Sequence, residues 1–463
     1  MQLSIFAAAR EAPNRIGLIS DKGSFTYSEL ADLSLSRAAA LVEFRHPLLL
    51  QPQLDLDSLL WLYAAFATGT PFLPLHAQAT AQERSAAQAR TSAQIPPIPD
   101  VEATASWGLG REIDPETPFC LMLTSGSTGV SKIVVLSRRA VLASAFASES
   151  NLGVDADERW LLCLSLSHVA GLSVVVRMLA ARRTVVLFES GAAGLLSCIT
   201  DIGRLIHEKR VTLVSLVPPL LDRLLRDGFQ PPSTLRAVLL GGAGCSPDLA
   251  ERARQVGVPL LTGYGLTETG SQIVARRYSE RHSHLPHQSG CVSSGHPLAN
   301  VEIKMVGERI AVRSPALLSR YIGVATSAVD IDGWFFTSDR GALGPQGELY
   351  VLGRTDSVIV TGGENVDPEE VERALRLLPE VEDACVFGLP SAEFGQRIVA
   401  VVVPVAGTPP LQLDAITAQL RPQLARFKLP RTLVTTEALP FTASGKLDRR
   451  ICAIRFGPCV DPP

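Results

Sequence analysis

The sequence predicts an α/β protein in two parts. Residues 1–355 read as a large N-terminal domain of parallel-rich sheets with flanking helices and a small β subdomain. Residues 356–463 read as a smaller α+β domain. Three observations carry this. The length, 463 residues, exceeds what one compact core holds. From Arg139 to Thr262, short apolar runs alternate with helically spaced segments, the pattern of βα repeats. Beyond about 355, helical and strand-like segments mix in a stretch large enough to fold alone.

Each element has its own signal. Tyr27–Phe44 and Leu56–Thr68 have helical spacing, and Gln78–Arg90 reads as a polar-faced helix. His46–Leu50 and Pro71–Leu75 are strand-like. Thr91–Glu116, rich in Pro, Ser and Ala, reads as a surface connection. Phe119–Leu123 and Ile133–Leu136 are apolar strands around a Gly/Ser loop. Then come a helix from Arg139 to about Ser150, a strand Trp160–Leu166, a helix Gly171–Ala181 and a strand Thr184–Phe188. Ile202–Lys209 is a helix and Thr212–Val217 a strand. Two prolines open a helix over Pro218–Arg226. Strands Leu235–Leu240 and Pro259–Thr262 flank a helix Pro247–Val256. Ligands gather at the carboxyl ends of such strands, here Ser125, His168, Val217, Gly241 and Gly263.

After Tyr278, short strands between Gly and Pro turns form the β subdomain (Glu302–Val306, Arg309–Val312, Gly347–Val351). Ser357–Thr361 is a strand. Asp367 then caps a helix, with Pro368 at N1, Glu370 at N3 and Val371, Ala374 and Leu375 inward. Strands Ala384–Gly388, Arg397–Val405 and Arg431–Thr435 follow, with a helix from Leu413 that Pro422 cuts short.

Bulk properties exclude several classes. A composition 46% hydrophobic and 19% charged is globular, and a net charge of −3 argues for neither nucleic acid nor an acidic membrane surface as partner. Eight scattered cysteines without a C-x-x-C pair fit neither a metal site nor a disulfide framework. The N-terminus has no basic region before its short apolar run. The longest apolar candidate, Leu172–Phe188, is cut by Arg177, Arg182 and Arg183. These features predict a soluble, cytoplasmic protein with no integral membrane contact, and leave monomer and homodimer both open.

The stretch Thr124-Ser-Gly-Ser-Thr-Gly-Val-Ser-Lys132 holds the densest chemistry. Glycines let backbone N–H groups turn to an anion, and hydroxyls and a cation add donors, so Thr124, Ser125, Gly126, Ser127, Thr128, Gly129 and Lys132 read as a phosphate cradle. It is not a Walker A loop: Ser131 stands where glycine is required, and Ile133 where the Mg²⁺-binding hydroxyl belongs. Only six lysines occur in the chain, and two of them, Lys132 and Lys446, lie in Gly/Ser-rich loops.

Three further signals join this loop. They are Gly263-Tyr-Gly-Leu-Thr-Glu-Thr269; Trp334-Phe-Phe-Thr-Ser-Asp339 with Gly353-Arg-Thr-Asp356 and Thr361-Gly-Gly-Glu-Asn365; and Pro440-Phe-Thr-Ala-Ser-Gly-Lys446. In this order the four sets resemble the acyl-adenylate-forming superfamily, over nearly the whole chain. That resemblance implies an acid–thiol ligase using ATP and Mg²⁺, with CoA as co-substrate. A carboxylate attacks the α-phosphate of ATP to give acyl-AMP, and a thiol then displaces AMP. It implies that Thr124–Lys132 hold the β- and γ-phosphates. Glu268, in a Gly-rich strand-end loop, would hold Mg²⁺, and Thr267 would meet the α-phosphate. Gly241, Gly242, Ala243, Tyr264 and Gly265 would surround adenine. Asp339 and Arg354 would hold ribose, and Lys446 would bridge the attacking carboxylate and the α-phosphate. Asp356 would be the hinge of a mobile C-terminal domain, and Gly362, Gly363 and Glu364 would line a tunnel for the pantetheine arm.

Ser167-His-Val-Ala-Gly-Leu-Ser173 with Arg177, Ser215-Leu-Val-Pro218 with Arg223, and Thr267-Glu-Thr-Gly-Ser-Gln-Ile273 resemble the o-succinylbenzoate–CoA ligases of menaquinone biosynthesis. Their substrate has two carboxylates, and the one not activated calls for a cation in the acyl pocket. The resemblance places His168, Arg177, Arg223, Gly263, Ser271 and Gln272 there, with His168 also near the reacting carboxylate. A ligase for another aryl acid, benzoate or anthranilate, stays open, as does an enzyme loading a separate carrier protein. An intact Lys446, Glu268 and Asp339 argue against a non-catalytic nucleotide sensor. The chain also departs from the superfamily pattern. Ser137-Arg138-Arg139 replaces a Ser/Thr-His pair, Ser338 replaces a glycine and Asp367 an aromatic, the last bearing on CoA contacts.

Overall fold

The computed structural model describes residues 2–99, 112–124, 132–153, 155–189, 199–288, 290–361, 364–391, 394–442 and 447–457. They form two compact units. The first holds 1–286, 293–303 and 312–335; the second holds 287–292, 304–311 and 336–463.

The first unit is built on two sheets. The larger has nine strands in the order His296–Pro297, Ser271–Ala275, Leu260–Leu266, Ala237–Leu240, Leu213–Leu216, Arg159–Leu162, Thr184–Leu187, Ile16–Ser20, Gly23–Thr26. Its central strands pair in parallel and its edges antiparallel. Thr184–Leu187 and Ala237–Leu240 are buried along their whole length, as parallel strands covered by helices must be. The second sheet has the order Arg320–Tyr321, Ile133–Ser137, Pro118–Leu123, Phe72–Pro74, Leu48–Leu50. The predicted α/β class is therefore observed.

Local chemistry sets the helix ends. Asp55 accepts from Ser58 N at 2.8 Å to start Leu56–Thr68, and Gly69 closes that helix with φ of 74°. Thr26 and Thr80 each complete a capping box with the glutamate three residues on. The helix Val169–Ala181 is apolar nearly all round because it packs on the helix Arg138–Leu152 and on strands of the larger sheet. Its entry needs Gly171. A β-carbon there would lie 2.3 Å from the Ser165 carbonyl oxygen and 2.4 Å from that of Leu164.

The second unit contains most of a four-stranded sheet that ends in the paired strands Phe335–Leu343 and Leu349–Arg354. A further sheet runs Glu364–Val366, Ile359–Thr361, Gly395–Pro404, Val381–Ser391, with Thr432–Thr435 parallel to Gly395–Pro404. Period-two alternation gives it two apolar faces. Val386, Ile398, Ala400 and Val402 pack with Val371 and Leu375 of the helix Pro368–Arg376 and with Ile416 and Leu420 of Leu413–Leu420. Phe387, Val399 and Val401 pack with Cys452 and Phe456 of Arg449–Phe456. Asp367 is the N-cap of Pro368–Arg376, accepting from Glu369 N at 2.9 Å.

The structure differs from the sequence reading in places. The Gly263–Thr269 motif is not a strand-end loop. The strand continues to Leu266 and turns through Thr267–Thr269 into Ser271–Ala275 as a hairpin. Gly265 is there for contact: a β-carbon would lie 2.2 Å from the Ser271 carbonyl oxygen. The strand Trp160–Leu166 stops at Leu162. The helix Ile5–Glu11, the hairpin Ile16–Thr26 and the helix Arg449–Phe456 carry no strong periodicity, and only the structure reveals them.

Gly171→Ala is expected to cost about 1–3 kcal/mol by overpacking, read as a lower urea midpoint with an unchanged slope.

Candidate functional site

Thr124 follows its strand, and its N–H donates to the Lys132 carbonyl at 2.9 Å, so the two ends of the predicted phosphate loop meet. Ser125, Gly126, Ser127, Thr128 and Gly129 lie outside the described residues. The Lys132 ammonium stands 5.1 Å from the ring centroid of Tyr321, whose hydroxyl donates to Glu268 Oε1 at 2.9 Å. Burial first, then the Glu268 carboxylate, raise the Tyr321 phenol above its usual range, so the hydroxyl is the donor. Lys132 and Glu268 are thus brought to one place, by a tyrosine that no motif in the sequence singles out.

Glu268 and Thr267 sit half-buried in the turn of the hairpin. The Thr269 hydroxyl holds that turn, accepting from Leu266 N at 2.9 Å and donating to the Ser271 carbonyl at 2.8 Å. Among the described residues no group of three or more His, Cys, Asp or Glu side chains could hold a metal. A single carboxylate fits a magnesium ion that takes its other ligands from phosphate and water.

Gly241 follows the strand Ala237–Leu240, and a β-carbon on it would lie 3.8 Å from the Gly263 carbonyl oxygen. Gly242 adopts φ of 82°, and Gly242 and Ala243 are exposed. Tyr264 is buried in the neighbouring strand beside Gly265. These predicted adenine-binding residues therefore lie on, or directly after, adjacent parallel strands.

The predicted acyl residues meet around Arg177. Arg177 is only 6% exposed; its guanidinium donates to Ser271 Oγ at 3.1 Å and lies 5.3 Å from the centroid of Trp160. No carboxylate pairs with it among the described residues, and its Nε has no partner there. Burial pushes it down to about 10. Ser271 reaches Ser173 at 3.3 Å, and the indole N–H of Trp160 donates to Ser215 at 3.2 Å. A cavity of about 10 Å³, room for roughly one water, is lined by Arg177, Ser173, Leu172, Val141, Gly270 and Ser144, whose hydroxyl is also unpartnered among the described residues. Gln272 donates to Ser148 at 3.3 Å, and its Oε1 faces Gly263. His168 occupies the N-cap position of the Arg177 helix, half-buried, without a side-chain capping bond. Arg223 does not join this group: it is exposed on the helix Pro218–Arg226, whose buried face carries Leu220, Leu221 and Leu224. Trp160, Ser144 and Ser173 reach the site only through folding.

The second unit carries Asp339 and Arg354 opposite each other on paired strands, with Arg354 Nη1 3.3 Å from Asp339 Oδ1. Thr355–Ser357 is a single 3₁₀ turn containing Asp356. Glu364 is exposed at the start of its strand. Gly362, Gly363 and Lys446 lie outside the described residues, although Phe441 and Leu447 form a β-bridge on either side of Lys446.

The two arginines that depart from the superfamily pattern find structural uses. Arg138 is buried and donates to the Leu3 carbonyl at 2.5 Å, tying the N-terminal segment to the end of the strand Ile133–Ser137. Arg139 pairs with Glu116 and donates to the Pro315 carbonyl at 2.7 Å. At Ser338 only the backbone carbonyl is used, accepting from Thr355 at 2.9 Å as a glycine there equally could, so the structure gives no reason for the serine.

A family model described as AMP-binding enzyme matches residues 76–321, and a second, AMP-binding enzyme C-terminal domain, matches 370–446. The chain belongs to the AMP-binding enzyme family. The 2-succinylbenzoate–CoA ligase of Bacillus velezensis is 31% identical over 489 aligned positions, covering 97% of this chain and 97% of that protein. The probable 2-succinylbenzoate–CoA ligase of Mycobacterium tuberculosis is 36% identical over 358 positions, 75% of this chain and 87% of that one. Among solved structures, o-succinylbenzoate CoA synthetase from Bacillus subtilis with its acyl-adenylate superposes with a TM-score of 0.83 at 28% identity, covering 97% of each chain. Its complex with ATP and magnesium gives 0.82 at 29% identity, covering 96% of this chain and 98% of that one. The resemblance to acyl-adenylate-forming enzymes, and to the o-succinylbenzoate ligases among them, is thereby borne out. Among the described residues no helix of this family member is long and apolar enough to cross a membrane.

Among the described residues Arg177 is held by neutral groups alone. Arg177→Met is therefore expected to leave stability within about 1 kcal/mol of the parent in urea unfolding, since replacing a buried charge by an apolar side chain of similar length removes its desolvation cost.

Proposed function

We propose that the chain is an AMP-forming acid–thiol ligase. It converts 2-succinylbenzoate, ATP and CoA to 2-succinylbenzoyl-CoA, AMP and diphosphate through an acyl-adenylate. The observation that carries the substrate is the buried Arg177 guanidinium with no carboxylate on it among the described residues. An unpaired buried cation calls for an anion, and a dicarboxylic acid brings one to spare. Relatives named as 2-succinylbenzoate–CoA ligases at 31% and 36% identity support the same acid.

In this reading the segment Thr124–Lys132 orients the β- and γ-phosphates. Gly241–Ala243, Tyr264 and Gly265 hold adenine, Thr267 meets the α-phosphate, and Asp339 and Arg354 hold ribose. Glu268 would hold a magnesium ion, which when bound offsets charge on the phosphate oxygens. Lys446 stands between the attacking carboxylate and the α-phosphate, where a cation lowers the barrier to bringing two anions together. Arg177, Ser271 and Gln272 orient the acid, and His168 borders its reacting end. Residues 1–355 form the adenylation domain. Residues 356–463 turn about Asp356, so that Gly362, Gly363 and Glu364 line the thiol's approach. The enzyme is cytoplasmic. Its chemistry needs one chain, so homodimer formation would be a separate property.

Incubation with ATP, CoA and 2-succinylbenzoate is expected to release AMP and form the thioester; no AMP release would sink the substrate. Arg177→Ala is expected to lower kcat/KM for this acid by about 2–3 kcal/mol, roughly 30- to 150-fold, while leaving a plain benzoate unaffected. Little change for 2-succinylbenzoate would favour another aryl acid as substrate. Lys446→Ala is expected to slow acyl-AMP formation by about 100-fold or more, with thioester formation from supplied acyl-AMP spared.

A further inference from the structure

We propose that Tyr321 is a positioning residue that couples the lysine of the phosphate loop to the carboxylate that holds magnesium. The proposal rests on the ligase reading, and its ground is one side chain with two uses. The Tyr321 hydroxyl donates to Glu268 Oε1 at 2.9 Å, and its ring lies 5.1 Å from the Lys132 ammonium.

The backbone makes this placement rigid. Tyr321 belongs to the two-residue strand Arg320–Tyr321, which pairs antiparallel with Ile133–Ser137, Tyr321 opposite Val134. Ser319 N donates to the Val135 carbonyl at 2.8 Å, and Ile322 N to the Ile133 carbonyl at 2.9 Å. On the other side, Leu318 N donates to the Glu268 carbonyl at 2.8 Å. The segment from Leu318 to Ile322 is thus fastened both to the strand leaving the phosphate loop and to the turn carrying Glu268.

The chemical consequence is a division of labour on the carboxylate. A glutamate side chain turns about several bonds, and a bond to one oxygen removes most of that freedom. With Oε1 held by the phenol, Oε2 is left for a hard cation. The ring offers Lys132 a face that attracts a cation without neutralising it, so the ammonium keeps its charge for phosphate. A carboxylate partner would have cancelled that charge; an aromatic face does not.

Equilibrium binding of ATP to the full-length protein tests this, by calorimetry in EDTA and across a magnesium chloride titration. The variants are Tyr321→Phe, which keeps the ring, and Tyr321→Leu, which keeps neither function. Thermal unfolding serves as a check that both are folded. Tyr321→Phe is expected to raise the magnesium concentration for half-maximal ATP binding by about 5- to 20-fold, with ATP affinity in EDTA unchanged. Tyr321→Leu is expected to show the same magnesium shift and, in addition, about 3-fold weaker ATP binding in EDTA, which the phenylalanine variant restores. A magnesium midpoint in Tyr321→Phe equal to that of the parent would overturn the proposal. So would identical losses in both variants with and without magnesium, the mark of a packing role. A parent protein that bound no ATP at all would overturn the ligase reading and this one with it, whereas the first two outcomes leave the ligase reading standing.

Discussion

Much of the first unit is arranged around a buried positive charge that no acid among the described residues neutralises. Removing a guanidinium from water is costly, and the usual remedy is a carboxylate beside it. Around Arg177 the fold supplies a serine hydroxyl and the face of a tryptophan instead. Both polarise towards the cation and neither cancels it. The charge thus stays available to a ligand, at some cost in stability that the apolar packing of the helix Val169–Ala181 offsets. That helix can approach the preceding turn only because residue 171 has no side chain. One glycine, one tryptophan and one serine, from three separate segments, make the buried cation tenable.

The same economy recurs at the hairpin Leu260–Ala275. Its turn carries Glu268, and its return strand carries Ser271 and Gln272. The group proposed to hold magnesium and those proposed to hold the acid therefore sit on one hydrogen-bonded element. Thr269 locks the turn from inside, and Leu318 N holds it from outside. A displacement of this hairpin would be felt by phosphate and acid together, which suits a reaction that joins them.

The second unit is organised differently. Its larger sheet buries both faces, each under its own helices, so it is a complete small domain with two thin cores. Glu372, buried beneath one of them, accepts from Val386 N at 2.8 Å and pairs with Arg449 at 2.6 Å. It binds the helix Arg449–Phe456, which starts just after Lys446, to the helix Pro368–Arg376.

Much of this is legible in the sequence. Repeating apolar runs and helical spacings are local signals, and they locate the βα elements and the end of the helix before Pro422. The capping signature Asp367-Pro368 marks its helix start, because a cap is decided within four residues. Chemistry confined to a short segment is equally plain: the hydroxyls and glycines before Lys132, Glu268 in its Gly-rich motif, and a cation at Arg177. What the sequence does not decide is which groups meet. The resemblance puts Arg223 in the acyl pocket along with Arg177, but it stands on an exposed helix face. Gly265 reads as part of a strand-end loop and is a close contact between two strands. Tyr321, far along the chain from Lys132, and Trp160, in an ordinary strand, acquire their roles only through pairing registers and packing. Residue type and short spacing determine what chemistry a segment can offer. Strand pairing between distant segments decides what each group faces, because a hydrogen bond or a cation–ring contact depends on a few ångströms that no local pattern encodes.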